Sequence, residues 1–430
     1  MQTQLARIAE LAKSGREVKV RNVQYLLGQE ENLVECFQEL KKRKASGVDG
    51  VSLEEYGKNL SGNLQGLISR MKSWSYHPQP VRRVYIPKAD GKKRPLGIPA
   101  TEDKIVQAGM TKILDAVFEP SFLGCSFGFR KGAGCHEALW KLGDMIYRNP
   151  VQWIIDVDIE RFFDTVDHEW MMKFVEHRIG DKNFLRMLKR LLRSGVMEGN
   201  QYSETTIGTP QGGIISPVLA NIYLHYVLDL WFEKVMKKIC WGYAGMVRYA
   251  DDFVICAENE VDAKRIMEKL RERLSKFGLK VSEEKTRIVK FGRGTGSKDT
   301  FNFLGFTHYN TVGRNGSYKV GRKTEKKRFA RALMSLNLWL RRIRNACSVK
   351  EWWKLLLVKI QGHFRYYGIS GNFRFLKRFL NEVRGLVLKW LNRRSQKKTI
   401  IWVDMPEYLK RHPLPTPRIY HDLYRPYPIG

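Results

Sequence analysis

The 430 residues are 43% hydrophobic and 12% aromatic, enough apolar side chain for two or three packed domains and too much for a disordered or fibrous chain. Lys and Arg number 76 against 44 acids, a formal charge of +32, and self-repulsion on that scale points to a polyanionic partner, nucleic acid first. The six cysteines are scattered with no C-x-x-C pair, so neither a zinc ribbon nor a disulfide framework is indicated, and no apolar run is long enough for a signal segment or a membrane span, so a soluble cytoplasmic chain without membrane contact is expected.

In chain order, Met1 to Lys13 places apolar residues at helical spacing. Leu33, Val34, Phe37 and Leu40 do the same between Glu31 and Lys44, and Ser46-Gly47-Val48-Asp49-Gly50 ends that helix with turn chemistry. Val81 to Lys88, a turn at Ala89-Asp90-Gly91, and Lys92 to Ile98 predict a basic β-hairpin. Thr101 to Tyr147 is mostly helical, broken by a glycine-bearing loop at Ser126-Phe127-Gly128-Phe129-Arg130-Lys131-Gly132.

Val151 to Val157 is a nearly continuous apolar run ending in carboxylates, the pattern of a buried strand whose end emerges at a site. A helix is expected near Asp167, and another after Thr209-Pro210-Gln211-Gly212-Gly213, with Ser216 as cap and Pro217 in the first turn. Met246 to Ala250 and Phe253 to Cys256 then predict two buried strands joined by a tight acidic turn, Asp251-Asp252. A helix over Val261 to Phe277, a strand-like Lys280-Val281 and a hairpin around Phe303-Leu304-Gly305-Phe306 follow. This alternation reads as an α/β or α+β layer. Composition shifts near Gly321: residues 322–394 hold twenty Lys or Arg and only Glu325, Glu351 and Glu382 as acids, with Trp339, Trp352, Trp353 and Trp390 at helical spacing. A separate basic helical domain is expected, its tryptophans in the core and its Lys and Arg on phosphates. A Pro-rich tail follows Ser395.

Adjacent carboxylates in a semi-enclosed site repel, and a divalent cation relieves them. Oxygen donors with no nearby His or Cys favour Mg²⁺, with Mn²⁺ as a possible substitute. A second set of acids, Asp156 and Asp158, shares one strand face, and spacing alone does not decide between them. Carboxylates from two strand ends suit two-metal nucleotidyl transfer, and a metal nuclease would need similar groups.

Taken in order, Arg94 to Pro99, Ser126 to Arg130, Asp158 to Asp164, Gly208 to Gly213 with Ser216-Pro217, Tyr249-Ala250-Asp251-Asp252, Gly278 to Val281 with Lys285-Thr286, and Phe303 to Phe306 resemble the reverse-transcriptase blocks of group II intron-encoded proteins. Gly362-His363-Phe364-Arg365-Tyr366-Tyr367-Gly368 is similar to the maturase or thumb region of that family. The resemblance implies an α+β right-handed polymerase with an antiparallel palm sheet and an all-helical basic thumb. It divides the chain into an N-terminal helical extension (1–30), fingers (31–150), palm (151–321, with a returning fingers insertion about 180–212), thumb (322–394) and tail (395–430). It implies Asp158, Asp251 and Asp252 as catalytic metal ligands, Phe163 as the aromatic that excludes a ribose 2′-hydroxyl, and Lys88 and Arg94 as triphosphate contacts. Gln211 and Gly212 would lie beside the nascent base pair, and Lys285 would protonate leaving pyrophosphate. The implied partners are an RNA template, a DNA primer, dNTPs and structured group II intron RNA. The zinc-dependent endonuclease of longer members has no counterpart in this cysteine spacing.

Overall fold

The computed structural model describes residues 2–13, 19–40, 45–87, 93–199, 201–209, 212–313, 315–394 and 400–424. It is an α+β structure whose strands form three sheets among the described residues. The first apolar periodicities give the helices Gln2–Lys13 and Glu30–Glu39. Strands β1 (Val81–Pro87) and β2 (Lys93–Ile98) form the expected antiparallel hairpin, with Arg82 opposite Ile98 and Ile86 opposite Arg94. Its turn, including Lys88, lies outside the described residues.

Helices Thr101–Phe118 and Cys135–Arg148 lead into β3 (Trp153–Asp158). Helix His168–Glu176 starts where Asp167 accepts a hydrogen bond from the Trp170 N–H, an N-cap that satisfies an otherwise orphaned donor. Helix Lys182–Leu192 and the short strands β4 (Val196–Glu198) and β5 (Gln201–Ser203) then return the chain to the hairpin. There β4 runs parallel to β1, giving the order β2-β1-β4-β5.

Helix Ser216–Leu224 continues through wide π-type turns at His225–Asp229 and Phe232–Met236. Ser216 is already its first helical residue, so the expected serine cap is not made; Ile215 precedes it in helical conformation, and Pro217 keeps its first-turn place. Strands β6 (Ala244–Tyr249), β7 (Asp252–Ala257) and, after helix Glu260–Lys276, β8 (Arg287–Lys290) join β3 in a fully antiparallel sheet of order β6-β7-β3-β8. Both faces of this sheet are covered. Ile155, Val157, Phe253 and Ile255 enter one core, while Ile154, Val247, Val254 and Cys256 enter another, which is why these strands read as continuous apolar runs rather than alternating ones.

The third sheet holds β9 (Thr300–Phe303), β10 (Phe306–Val312) and β11 (Tyr318–Thr324). Leu304 and Gly305 turn between β9 and β10 with φ of 49° and 79°, the left-handed pair that matches strand twist in a two-residue hairpin. The basic segment begins inside β11 and becomes helical at Lys326, as Lys326–Ile343, Val349–Tyr367 and Phe373–Asn392. Trp352, Trp353 and Trp390 are buried among those helices and Trp339 is half-buried, as expected of core residues. No helix among the described residues is long and apolar enough to cross a membrane.

Candidate active site

Strands β6 and β7 are joined by Ala250 and Asp251, with Tyr249 and Asp252 closing the turn as a pair. Asp252 opens β7 directly opposite Asp158, the last residue of β3. Opposed residues of antiparallel strands project to the same face, so these two carboxylates are neighbours, and Asp156 lies on that face two residues earlier. The acids from two separate stretches of chain are therefore brought together at one end of the sheet.

The cluster is electrostatically strained. Burial, then the negative charges of Asp156, Asp251 and Asp158, push the Asp252 carboxyl up to about 8. Burial likewise lifts Asp156 to about 6, despite the Arg287 guanidinium beside it. Asp251 is also raised, chiefly by burial and by Asp158, with Arg94 and Lys285 pulling the other way. An all-oxygen donor set that resists ionisation in this way fits a hard divalent cation. The side chains do not form a finished cage: no three His, Cys, Asp or Glu among the described residues stand in metal-holding geometry. Lys285 Nζ instead donates to Asp158 Oδ2 at 2.8 Å. With 65% and 41% of the two side chains exposed, that ion pair is weak and easily exchanged. The end of β3 is pinned beneath it, since Ser282 N–H donates to the Asp158 carbonyl at 2.8 Å and Thr286 Oγ1 accepts from the Asp158 N–H at 3.3 Å.

Ala250 adopts φ of 56°, a left-handed conformation that costs a residue with a Cβ about 1–2 kcal/mol. What holds it was not legible as a site. Arg248, fully buried in β6, donates from Nη1 to the Ala250 carbonyl at 3.1 Å. The same guanidinium reaches Asp229 through Nε at 2.7 Å and Nη2 at 2.5 Å, Ser126 Oγ at 2.8 Å and Asn221 Oδ1 at 3.2 Å. Asn221 in turn donates to the Gly128 carbonyl at 2.8 Å. Gly128 lies against the turn so closely that a Cβ there would stand 2.2 Å from the Ala250 nitrogen. A lone arginine inside an apolar strand was the one available signal, because a buried charge demands a partner; its partner, nineteen residues upstream, carried no mark of its own.

Of the other expected residues, Arg94 is exposed on β2 and close enough to Asp251 to act on its charge. Phe163 is half-buried beside fully buried Phe162, with ring centroids 5.3 Å apart, and its carbonyl accepts from the Thr209 N–H at 2.7 Å. It lines a cavity of about 370 Å³ with Gly97, Gly208 and Thr209, so the 208–213 block does reach the aromatic residue. Gly212 has φ of 110°, and a Cβ there would sit 2.8 Å from both the Gly97 oxygen and Leu96 Cδ1. The bareness of Gly212 is thus required by the chain's own strand β2. Gln211, like Lys88, lies outside the described residues.

An α+β fold that gathers carboxylates at the end of an antiparallel sheet, beside a basic hairpin and a basic helical segment, is of the class that acts on phosphate-linked chains. The family model for reverse transcriptase (RNA-dependent DNA polymerase) matches residues 86–308, and the chain belongs to that family, which depends on divalent metal ions. It is 30% identical over 373 residues to protein YkfC of Escherichia coli (strain K12), covering 78% of this chain and 96% of that one. It is 31% identical over 390 residues to the group II intron-encoded protein LtrA of Lactococcus lactis subsp. cremoris, covering 76% of this chain and 63% of LtrA. A third relative, an uncharacterized 91 kDa protein in the cob intron of Schizosaccharomyces pombe, is 29% identical over 335 residues, or 64% of this chain and 40% of that protein.

Proposed function

We propose that the protein extends a DNA primer on an RNA template with dNTPs, and that it binds a structured group II intron RNA and assists its splicing. The observation that carries the first part is the register of Asp158 opposite Asp252 with Asp251 in the adjoining turn; the kinship with an intron-encoded protein supports the second. In this reading the β6-β7-β3-β8 sheet is the palm (151–321) of a right-handed polymerase. The hairpin and the preceding helices are the fingers (31–150), and the pairing of β4 with β1 supports the return of 180–212 to them. The helices of 322–394 are the thumb, whose Lys and Arg track the primer-template backbone and intron RNA by shape and phosphate charge.

Asp158, Asp251 and Asp252 hold the metal ions, Mg²⁺ with Mn²⁺ as a substitute. Such ions, when bound, lower the pKa of the attacking primer hydroxyl and stabilise the leaving pyrophosphate. The chain's own residues do the rest. Arg94 and Lys88 grip the triphosphate through charge-assisted hydrogen bonds, Phe163 blocks a ribose 2′-hydroxyl, and Gln211 with Gly212 flanks the nascent base pair. Lys285 gives a proton to pyrophosphate, a role that its 2.8 Å contact with Asp158 supports.

The test is extension of oligo(dT) on poly(rA) with Mg²⁺ and dTTP. The Asp251→Ala, Asp252→Ala double variant is expected to lose extension while keeping the wild-type circular dichroism spectrum; full activity in that variant defeats the assignment. Splicing of a flanking intron RNA by the same variant separates the RNA-folding role from polymerisation, and failure of both wild-type and variant protein to promote splicing of any group II intron removes that second role.

A further inference from the structure

Phe163 sits on a short piece of chain. It belongs to the single helical turn Phe162–Thr165, entered through Arg161 at φ of 46°. One turn of helix has no stability of its own, so the place of Phe163 is set by what binds its backbone and its neighbours. The segment 207–209 does this. Ile207 is bridged to Asp167, the Gly208 N–H donates to the Val166 carbonyl at 2.8 Å, and the Thr209 N–H donates to the Phe163 carbonyl at 2.7 Å.

The Thr209 N–H shares a rigid peptide plane with the Gly208 carbonyl, and in a trans peptide the two point opposite ways. His168 holds the other end of that plane, with Nε2 2.6 Å from the Gly208 oxygen. A carbonyl only accepts, so Nε2 carries the ring proton, and burial keeps the ring neutral by pushing its pKa down. His168 is 7% exposed and is the first residue of the capped helix His168–Glu176, a rigid mount for a positioning group. Gly208 does little to fix the plane itself. It has φ of 87°, and a Cβ there would stand 3.0 Å from the carbonyl oxygens of Phe163 and Asp164, so the position is bare and its peptide is free to turn. Phe163, Gly208 and Thr209 line the 370 Å³ cavity, whereas His168 does not. Without the His168 donor the buried Gly208 carbonyl is left unsatisfied, which is costly, and the plane relieves it by rotating its oxygen towards the cavity. That rotation takes the Thr209 N–H off the Phe163 carbonyl.

We propose that His168 is a positioning residue for sugar selection, acting through the Gly208-Thr209 peptide to hold Phe163 where it meets the 2′ position of the incoming nucleotide. The inference rests on the reading of Phe163 as the aromatic that excludes a ribose 2′-hydroxyl, and His168 itself touches no substrate. The experiment is addition to oligo(dT) on poly(rA) with Mg²⁺ and either dUTP or UTP, which differ only at the 2′ position, with kcat/KM measured for each and the dUTP/UTP ratio taken as the readout. Phe163→Ala is expected to lower the ratio most. His168→Phe, which keeps a ring and removes the donor, should lower it about tenfold, the scale of one lost buried hydrogen bond, by raising use of UTP more than by slowing dUTP. His168→Gln, whose amide N–H can stand near the place of Nε2, should stay within about twofold of the wild type, because the bond is kept. Adding His168→Phe to Phe163→Ala should cause no further loss, since the first acts through the second. Gly208→Ala disturbs the same plane without touching the histidine and should lower the ratio as well, which decides the matter if His168→Phe does not fold. A His168→Phe enzyme that slows both nucleotides in parallel and leaves the ratio at the wild-type value overturns the proposal, as does a full additional loss in the Phe163→Ala background. An unchanged ratio in Phe163→Ala removes the reading of Phe163 and this inference with it; a ratio that falls there but in neither His168→Phe nor Gly208→Ala removes this inference alone.

Discussion

Asp229 and Arg248 are each fully buried and meet through two hydrogen bonds. Replacing Asp229 with Leu leaves the guanidinium in the core without its counter-charge, and Arg248→Met leaves the carboxylate there; either step costs about 3–5 kcal/mol. His225 lies 3.9 Å from the carboxylate, and in the wild type burial, with the Arg248 charge among the nearby cations, pushes its pKa down to about 4. The double variant removes both charges together. It loses the donors to Ser126, Asn221 and the Ala250 carbonyl, at roughly 1 kcal/mol for each acceptor, but regains about 1–4 kcal/mol from replacing an ion pair with apolar groups. The net is expected near zero to about 2 kcal/mol. Set against singles that add to roughly 6–10 kcal/mol, this gives a coupling of at least about 4 kcal/mol.

Urea unfolding of the four proteins in EDTA measures it. With domains stable by only about 5–15 kcal/mol, each single variant should unfold at much lower urea and the double should recover most of the midpoint. Primer extension supplies the second readout. If the network serves to hold Ala250 in its left-handed turn, the double variant regains stability without regaining activity, since a methionine in place of Arg248 has no donor for the Ala250 carbonyl. A double variant destabilised by the full sum of the singles refutes the energetic argument. One that is stable and extends primer at the wild-type rate refutes the positioning argument, leaving the pair as part of the core alone.

Gly128→Ala should act on the same turn from the other side. Its new methyl meets backbone, not a flexible side-chain end, at 2.2 Å, so the expected cost is about 1–3 kcal/mol of overpacking together with a large fall in kcat measured by primer extension; wild-type kcat would show that the turn moves freely. Asp252 governs a pH effect in the metal-free protein. Its folded pKa of about 8 lies above the unfolded value, so below about pH 4 both states bind the proton and nothing is lost, whereas between about 4 and 8 only the unfolded state ionises. Stability in EDTA should therefore fall as pH rises through that window, at about 1.4 kcal/mol for each tenfold in proton affinity. Thermal melts of Asp252→Asn should show a flatter profile, and Mg²⁺ should remove most of the wild-type loss at pH 8; identical profiles for variant and wild type would place the strain elsewhere.

The parts of this fold that were legible in the sequence are those set by local pattern. Apolar runs bounded by acids gave β3, β6 and β7 because both sheet faces are covered, and Asp167 marks a helix start by chemistry confined to three residues. The carboxylate site was legible for a related reason: strand ends expose their last side chains, and two acidic strand ends in one chain have few places to meet. Ser216 failed as a cap because the preceding turn already holds Ile215 in helical conformation, a fact of tertiary packing. The shift at Gly321 fell inside β11 because a change in composition does not respect the boundary between strand and helix.

Gly128 and Gly212 illustrate the deeper limit. Gly128 reads as a loop glycine and Gly212 as a bare position beside a base pair, and at both of them backbone from a distant segment, Ala250 in one case and Gly97 in the other, occupies the space of a side chain. The same holds for Gly143 under Arg322, where a side chain fills the gap. Sequence shows which position lacks a side chain and not what has come to fill the gap, whereas the polar residues that fix the Ala250 turn are far apart along the chain, Ser126 and Arg248 by 122 positions. A charge inside an apolar strand is the exception that can be acted on. Arg248 and Arg322 both interrupt strands with buried neighbours, and desolvation sets a cost on each; the first is answered by the Asp229 carboxylate, and the second donates from Nη2 to the Leu139 carbonyl.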